Sequence, residues 1–431
     1  MDKSKINQTQ LDFSCGLGLA NLNLNTGRLL FECPGLSIGA NNFQISTSLI
    51  YNSKMKNTDF GNLKIGLGNG WKLNIQQYVF PYNSSYNLEE FEEGDYVYID
   101  SNWNIHRFRK YKDNNTYGDT RNVYYDASGS GLRLVTGENR YSEIYDGNNS
   151  TIKFDLQGRI TNIISSVNAN INKIITYSGE NLVSIYDSRK TGRKINFTYY
   201  SNGNLKSMSA DTYNISLQYN YNSSNKLEKI IKNNGSSSKD MMYFKYDLIA
   251  VLAYAIDSES LRALYFESNL ISSNPKIITI KEGAMQKQLI TEELGAELFT
   301  GDNEYIGEGH YLVGTGKKVK GYELKMISEY VKNKTTISYL TNHTDVTNEK
   351  GITTRYYFNT KGFTSSILEV GSGNNCKTLF KTGGWRLSSA GASSYMINGQ
   401  AATQLSSSHQ YITTNLSEFI DIFKKYENKK E

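Results

Sequence analysis

The chain has 431 residues, of which 38% are hydrophobic, 12% aromatic and 21% charged, enough to bury a large core but too many for one comfortable domain. Its formal net charge of +5 is scattered, and the one compact basic cluster, Lys317, Lys318 and Lys320, falls short of the dense cationic stripe that nucleic-acid binding requires. Cys15, Cys33 and Cys376 form no C-x-x-C pair and have no histidines beside them, which argues against a disulfide framework and a zinc centre. Cys15 and Cys33 read as small buried side chains, with a bond between them as the alternative.

The first ten residues are polar and carry no apolar signal-peptide core, so export would use a route other than Sec or a processed precursor. The longest apolar stretch, Leu248 to Ile256, is nine residues, about half of the ~20 that a membrane-spanning helix needs. Against only 3 prolines stand 36 glycines and 33 tyrosines, a composition suited to pleated strands joined by turns with positive φ. Early in the chain, Gly66, Gly68 and Gly70 look like a phosphate loop, but they lie between strands and end in Trp71, so a turn is expected. Glu89, Glu90, Glu92, Glu93 and Asp95 then form an acidic run. A glycosidase needs two carboxylates ~5–10 Å apart, yet such a run before a strand reads first as a solvated turn or a charged sheet edge.

From residue 151 the pattern becomes periodic. Ile195, Phe197 and Tyr199 alternate with polar residues, as do Ile215, Leu217, Tyr219 and Tyr221, so each run is a strand with one apolar face. Short Gly, Asn and Ser clusters separate the runs. Phe154, Tyr177, Tyr199 and Tyr221, the aromatics before these turns, are spaced by 23, 22 and 22 residues. A fixed period in the twenties marks a stacked unit that cannot bury its face alone.

The unit Phe154-Asp155-x-x-Gly158-Arg159-Ile160 resembles the YD repeat of RHS-type proteins, and the following units keep the aromatic and the turn, through Tyr177 and Gly179, Tyr199 and Gly203, and Tyr221. Residues 26–53 and 66–74 resemble the N-terminal region of such proteins, and Tyr356 with Gly362 resembles a later repeat. The resemblance implies an all-β array of antiparallel hairpins coiling into an extended or partly closed sheet or shell. It also implies a role in enclosing or presenting a partner polypeptide such as a toxin, outside the cell or in a phage or secretion particle. No Asp-Pro dipeptide occurs, so the self-cleaving segment of the larger relatives and a recognisable toxin are not expected.

The expected divisions are an RHS-like N-terminal region (1–150), the repeat array (151–239), a less regular segment with a further repeat (240–371), and a Gly/Ser-rich segment with a terminal amphipathic helix (372–431). In that helix Asn415 and Glu418 make a capping box, while Leu416, Phe419, Ile420 and Phe423 line one face. His106, His310, His343 and His409 stand in no catalytic or metal motif, and Asp302, Asn303 and Glu304 lack EF-hand spacing. No catalytic residue, metal or cofactor is therefore expected. A second reading is a surface-binding protein, a phage-tail or cell-wall module. Tyr96, Tyr98, Trp103 and Trp385 would then stack on a surface glycan, with cross-strand packing as the plainer role for the same rings.

Overall fold

The computed structural model describes residues 10–39, 44–55, 66–86, 88, 91–110, 122–128, 130–137, 142–145, 150–165, 171–269, 275–293, 311–312, 317–326, 333–359, 362–371, 376–381, 395–397, 400–402, 404–406 and 409–410. The chain is all-β and antiparallel, as the alternation implies. Strands β1 (Gln10–Cys15), β2 (Gly18–Asn23), β3 (Leu29–Ile38), β4 (Ile45–Asn52) and β5 (Trp71–Leu73) form one sheet in sequence order. The described strands from Tyr78 to Lys381 belong to a second sheet, a long ribbon in which strands pair mainly with their sequence neighbours.

The ribbon begins with β6 (Tyr78–Pro81), β7 (Tyr96–Ile99), β8 (Ile105–Lys110), β9 (Asn122–Asp126), β10 (Arg133–Thr136) and β11 (Ser142–Tyr145). The periodic hairpins follow as β12 (Thr151–Phe154), β13 (Ile160–Ile164), β14 (Asn172–Ser178), β15 (Asn181–Asp187), β16 (Lys190–Tyr199) and β17 (Leu205–Ala210). They continue as β18 (Ile215–Tyr221), β19 (Leu227–Asn234), β20 (Ser237–Tyr246), β21 (Leu252–Asp257) and β22 (Arg262–Ser268). Next comes a long strand, β23 (Ile277–Glu293), whose first part lies between β22 and a later strand while its outer part forms an arm with β24 (Tyr311–Leu312) and β25 (Lys317–Met326). The ribbon resumes with β26 (Asn333–Tyr339), β27 (His343–Thr347), β28 (Thr353–Phe358), β29 (Thr364–Val370) and β30 (Cys376–Lys381). Two short hairpins lie between residues 395 and 410. The expected terminal helix falls outside the described residues.

The ribbon curls back on itself at one point. The Val79 N–H donates to the Gly158 carbonyl at 2.8 Å, and the Ile160 N–H donates to the Gln77 carbonyl at 3.1 Å. This is a single bridge between Tyr78 and Arg159. No registered pair joins β6 to β30 among the described residues, so the sheet is coiled rather than closed into a barrel. The break between sheets falls at residues 74–78, and β6 to β11 already belong to the ribbon, so the division expected at residue 150 coincides with no break in the sheet.

The hairpins share one turn chemistry. In the turn after Phe154, Asp155 Oδ1 accepts the N–H groups of Gln157 and Arg159, and Gly158 takes φ 75°. Asn222 makes the same bonds to Ser224 and Lys226 with Asn225 at φ 62°, and Asp247 makes them to Ile249 and Val251 with Ala250 at φ 70°. An Asx side chain satisfies two backbone donors while the residue three positions on adopts the left-handed conformation. The aromatic before the turn then falls opposite the aliphatic after it, Phe154 facing Ile160, Tyr221 facing Leu227 and Tyr246 facing Leu252. Each time the register slips by one residue, a bulge that sharpens the local twist and so the coil.

Neighbouring repeats are bonded through the tyrosines. Tyr221 donates its hydroxyl to the Leu205 carbonyl at 2.9 Å, Tyr246 to the Leu227 carbonyl at 2.7 Å, and Tyr339 to the Ile277 carbonyl at 2.9 Å. Where a cation stands just before the aliphatic, it covers the next ring. Arg159 lies 4.3 Å from the centre of Tyr177, and Lys226 lies 5.3 Å from that of Tyr246. Tyr221→Phe is therefore expected to cost about 1–2 kcal/mol, because a buried carbonyl loses its donor while the ring still packs. The shift of the urea midpoint at unchanged slope measures it.

The concave side of the ribbon holds the first sheet. β3 lies against β16, β17 and β18, β4 against β15, and β1 against β21, β22 and β23. One continuous core results, in which Phe31, Tyr51 and Trp71 of the first sheet meet Met208, Tyr219 and Phe244 of the ribbon. The Gly66–Trp71 segment is a turn wedged among the repeat turns rather than a phosphate loop. The Leu205 N–H donates to the Gly66 carbonyl at 2.5 Å, and a Cβ on Gly68 would meet the Asn225 carbonyl at 2.8 Å. Cys15 stands opposite Gly18, and the β2–β3 register, with Leu19 opposite Glu32, brings Cys33 to the other side of Gly18. Two strand spacings put the cysteines roughly 10 Å apart, beyond the ~7 Å that a disulfide spans. Both are free and buried.

Candidate functional site

A buried polar cluster lies where the first sheet meets the start of the ribbon. It is built on the turn between β7 and β8, where Asp100 Oδ1 accepts the N–H groups of Asn102 and Asn104 at 2.8 and 2.7 Å. The left-handed position of this turn is Trp103, at φ 60°. A bulky residue adopts that conformation only when its surroundings hold it there. The Trp103 indole N–H donates to the Ile50 carbonyl at 3.1 Å, and the Asn52 amide donates to the Trp103 carbonyl at 3.3 Å, so β4 clamps the turn from both sides.

Two cations of the first sheet reach the same turn. Lys72 is fully buried, and its Nζ donates to the carbonyls of Ser101 at 3.0 Å, Gln76 at 3.2 Å and Leu73 at 3.3 Å. Three acceptors call for three N–H donors, which only the ammonium supplies. Burial opposes that charge and draws Lys72 down to about 7, with the Asp100 carboxylate pulling the other way. Arg28 donates to Asn104 Oδ1 at 3.2 Å.

On the ribbon side, His106 is held between two carboxylates. Its Nε2 lies 3.2 Å from Asp100 Oδ2 and its Nδ1 3.3 Å from Asp126 Oδ2, and its ring stacks on Tyr98 with centres 5.4 Å apart. Burial works against the imidazolium, but the hydrogen bonds and charges of Asp100 and Asp126 outweigh it and raise His106 to about 9. Burial likewise opposes ionisation of Asp126, and the bonds from His106 and Ser128 override it and hold the carboxyl well below the usual range. Ser128 donates its hydroxyl to Asp126 at 2.5 Å, not to the histidine. Both imidazole nitrogens are thus committed to carboxylates and neither activates a nucleophile, so the cluster resembles a hydrolytic triad in residue types alone. It works as an ionic seam joining the first sheet to β7, β8 and β9.

The acidic run is absorbed differently. Arg107 Nε bonds Asp95 at 2.5 Å, and the Arg107 and Arg109 guanidiniums reach Glu92 at 3.2 and 2.7 Å. Asp95 is buried under this pair while Glu92 and Glu93 are exposed, which makes the run a neutralised turn; Glu89 and Glu90 lie outside the described residues. Among the described residues no group of His, Cys, Asp and Glu is arranged to hold a metal ion.

The expected aromatic platform does not assemble. Tyr98 and Trp103 are each 3% exposed, Tyr98 on the inner core with its hydroxyl on Gln77, and Trp103 in a separate core on the opposite face of β7. Tyr96 is half-buried and packs on Tyr124 with ring centres 4.9 Å apart. Alternation along a strand sends neighbours to opposite faces, and here both faces of β7 are covered. Trp385 lies outside the described residues, as do His310, Asp302, Asn303 and Glu304.

Phe154, Tyr177, Tyr199, Tyr221 and Tyr356 pack on the core, and Gly158, Gly179, Gly203 and Gly362 take positive φ in the turns. Asp155 and Arg159 are paired at 2.7 Å. Asp100 and Asp247, which close turns of the same kind, escape a search keyed on glycine because Trp103 and Ala250 take the left-handed position. The signal that finds them is the Asx itself, flanked at −1 and +5 by residues that face each other across the hairpin. Neither a protein-family model nor any curated protein sequence matches this chain.

Proposed function

We propose that the chain is a non-enzymatic repeat scaffold of the RHS/YD kind, one that presents a partner polypeptide on a body filled by its own N-terminal sheet. The observation that carries this reading is the filling itself. The concave face, where a longer array of this kind would enclose cargo, is occupied by Phe31, Tyr51 and Trp71 in a continuous core. A partner then engages the outside of the ribbon or its arm rather than an interior. The polar seam supports the same reading, since its titratable groups bond one another and lie away from solvent. A setting outside the cell, or on a phage or secretion particle, belongs to the same proposal; among the described residues no helix is long and apolar enough to cross a membrane.

The test is to mix the purified chain with the polypeptides encoded beside its gene, and separately with polysaccharide, peptide and phosphodiester substrates. A stoichiometric complex with one of the polypeptides and no turnover is expected. Turnover abolished by substituting Glu92 and Asp95 would establish an enzyme instead.

A further inference from the structure

The outer surface of the ribbon changes character along its length. Across β14 to β19 one transverse row reads Thr176, Ser184, Asn196, Ser209, Ser216 and Asn233, all small and uncharged. Farther on, Tyr243 and Tyr265 stand on the outer face, but their hydroxyls bond Asp240 and Glu267, which also pair with Lys229 at 2.8 Å and Lys281 at 3.4 Å. Those groups satisfy one another.

The outer face of β8 to β11 is different. Arg109 lies opposite Tyr125, Tyr125 opposite Arg133, and Arg133 opposite Tyr145, so one row crosses four strands as Arg-Tyr-Arg-Tyr. Their sequence neighbours Phe108, Tyr124, Leu134 and Ile144 fill the inner core, and alternation puts the row on the outside. Tyr125 is 42% exposed. Arg109 is held by Glu92 at 2.7 Å, and Tyr145 donates to Glu143 at 2.5 Å. Arg133 is the member left over. Its guanidinium lies 4.8 Å from the Tyr145 ring centre, and among the described residues it pairs with no carboxylate and its buried Nε has no acceptor.

Tyr and Arg are the side chains that carry most of the energy at the centre of a protein interface, while Ser and Lys carry little. An arginine already stacked on a ring is ordered in advance, and a carboxylate meets its planar head with two parallel hydrogen bonds. One unpaired guanidinium calls for one such group, not for the succession of phosphates that a nucleic acid offers. At ~4.8 Å per strand the row is roughly 15 Å long, the span of four or five residues of extended chain.

We propose that the partner polypeptide docks across this row through an acidic segment, with an Asp or Glu carboxylate on Arg133 and an apolar or aromatic side chain against Tyr125. The proposal rests on the scaffold reading and names the surface that the partner takes. The polypeptides encoded beside the gene are titrated calorimetrically against the full chain. The complex is then formed with Tyr125→p-benzoylphenylalanine and, as a control, with the same substitution at Tyr213, which is 42% exposed in a turn elsewhere. Irradiation is expected to cross-link through position 125 alone, to a peptide containing Asp or Glu. Arg133→Gln is expected to weaken binding at least tenfold, Arg133→Lys nearly as much because an ammonium cannot form the fork, and added salt to weaken the native complex. Circular dichroism of both variants, unchanged from native, separates lost binding from lost fold. A complex whose affinity is unchanged in Arg133→Gln, or one that cross-links only through position 213, would overturn this docking surface and leave the scaffold reading standing. No complex with any of the polypeptides would overturn both. A single-stranded oligonucleotide that binds the chain and is released by Arg133→Gln would put a nucleic acid on the row and overturn the proposal as well.

Discussion

Trp71→Ala is expected to lower the unfolding free energy by about 3–5 kcal/mol, a large part of the ~5–15 kcal/mol that domains possess. Trp71 is 1% exposed and touches both sheets. Its ring lies 4.8 Å from Phe244 of the ribbon, 5.3 Å from Tyr51 and 6.3 Å from Phe31, all measured between centres. Its indole N–H donates at 2.8 Å to the Tyr246 hydroxyl, which in turn donates a hydrogen bond to the Leu227 carbonyl. Truncation therefore removes the largest filler of the interface and leaves a cavity that two hydrogen-bonded sheets cannot easily collapse. Trp71→Phe keeps most of the packing and removes only the N–H, so a smaller loss of about 1–2 kcal/mol is expected. Urea unfolding followed by circular dichroism orders the two variants; equal losses would mean that the hydrogen bond, not the volume, holds the sheets together.

The second large effect is a dependence on pH centred on His106. Its folded value is raised to about 9 from an ordinary value of about 6.5, a separation of about 2.5 pH units, or on the order of 3 kcal/mol. Because the folded state binds the proton more tightly, this stability is fully present below about pH 6.5 and is lost as the pH rises through 9. Lys72 acts in the opposite sense. Its folded value is lowered to about 7, so its contribution grows as the pH rises from about 7 toward 10.5. The two partly cancel in the native protein, and the difference between native and His106→Gln isolates the histidine. That difference is expected to be largest near pH 6 and to shrink steadily toward about pH 9. A difference that stays constant with pH would show that His106 is neutral between its carboxylates.

Both effects arise at the junction of the first sheet with the ribbon, and that junction was the least legible part of the sequence. The hairpins were legible because their determinants are local. Alternation fixes which side chains share a face, and an Asx with a left-handed residue three positions later closes the turn through bonds spanning only a few residues. The spacing of Phe154, Tyr177, Tyr199 and Tyr221 therefore led directly to the ribbon. The same local rule placed Gly66, Gly68 and Gly70 in a turn rather than a phosphate loop.

Where an apolar face goes is not a local property. Nothing in the composition of residues 10–74 says that their sheet lies inside the curl of the ribbon, because the contacts of Trp71 with Phe244 and of Thr344 with the Leu24 carbonyl span long stretches of chain. The aromatic platform failed for the same reason. Tyr98 and Trp103 carry the residue types of a glycan surface, but β7 is covered on both faces, by the inner core on one side and by the turns around residues 80–91 on the other. By itself the sequence determined the strands, the turns and the period, all set by hydrogen bonds and side-chain alternation within one hairpin. Only the tertiary structure decided which faces meet, because a hydrophobic surface specifies that it must be buried but not by what. That choice fixed the clamped Trp103 turn, which Ile50 and Asn52 of β4 hold from some fifty residues away.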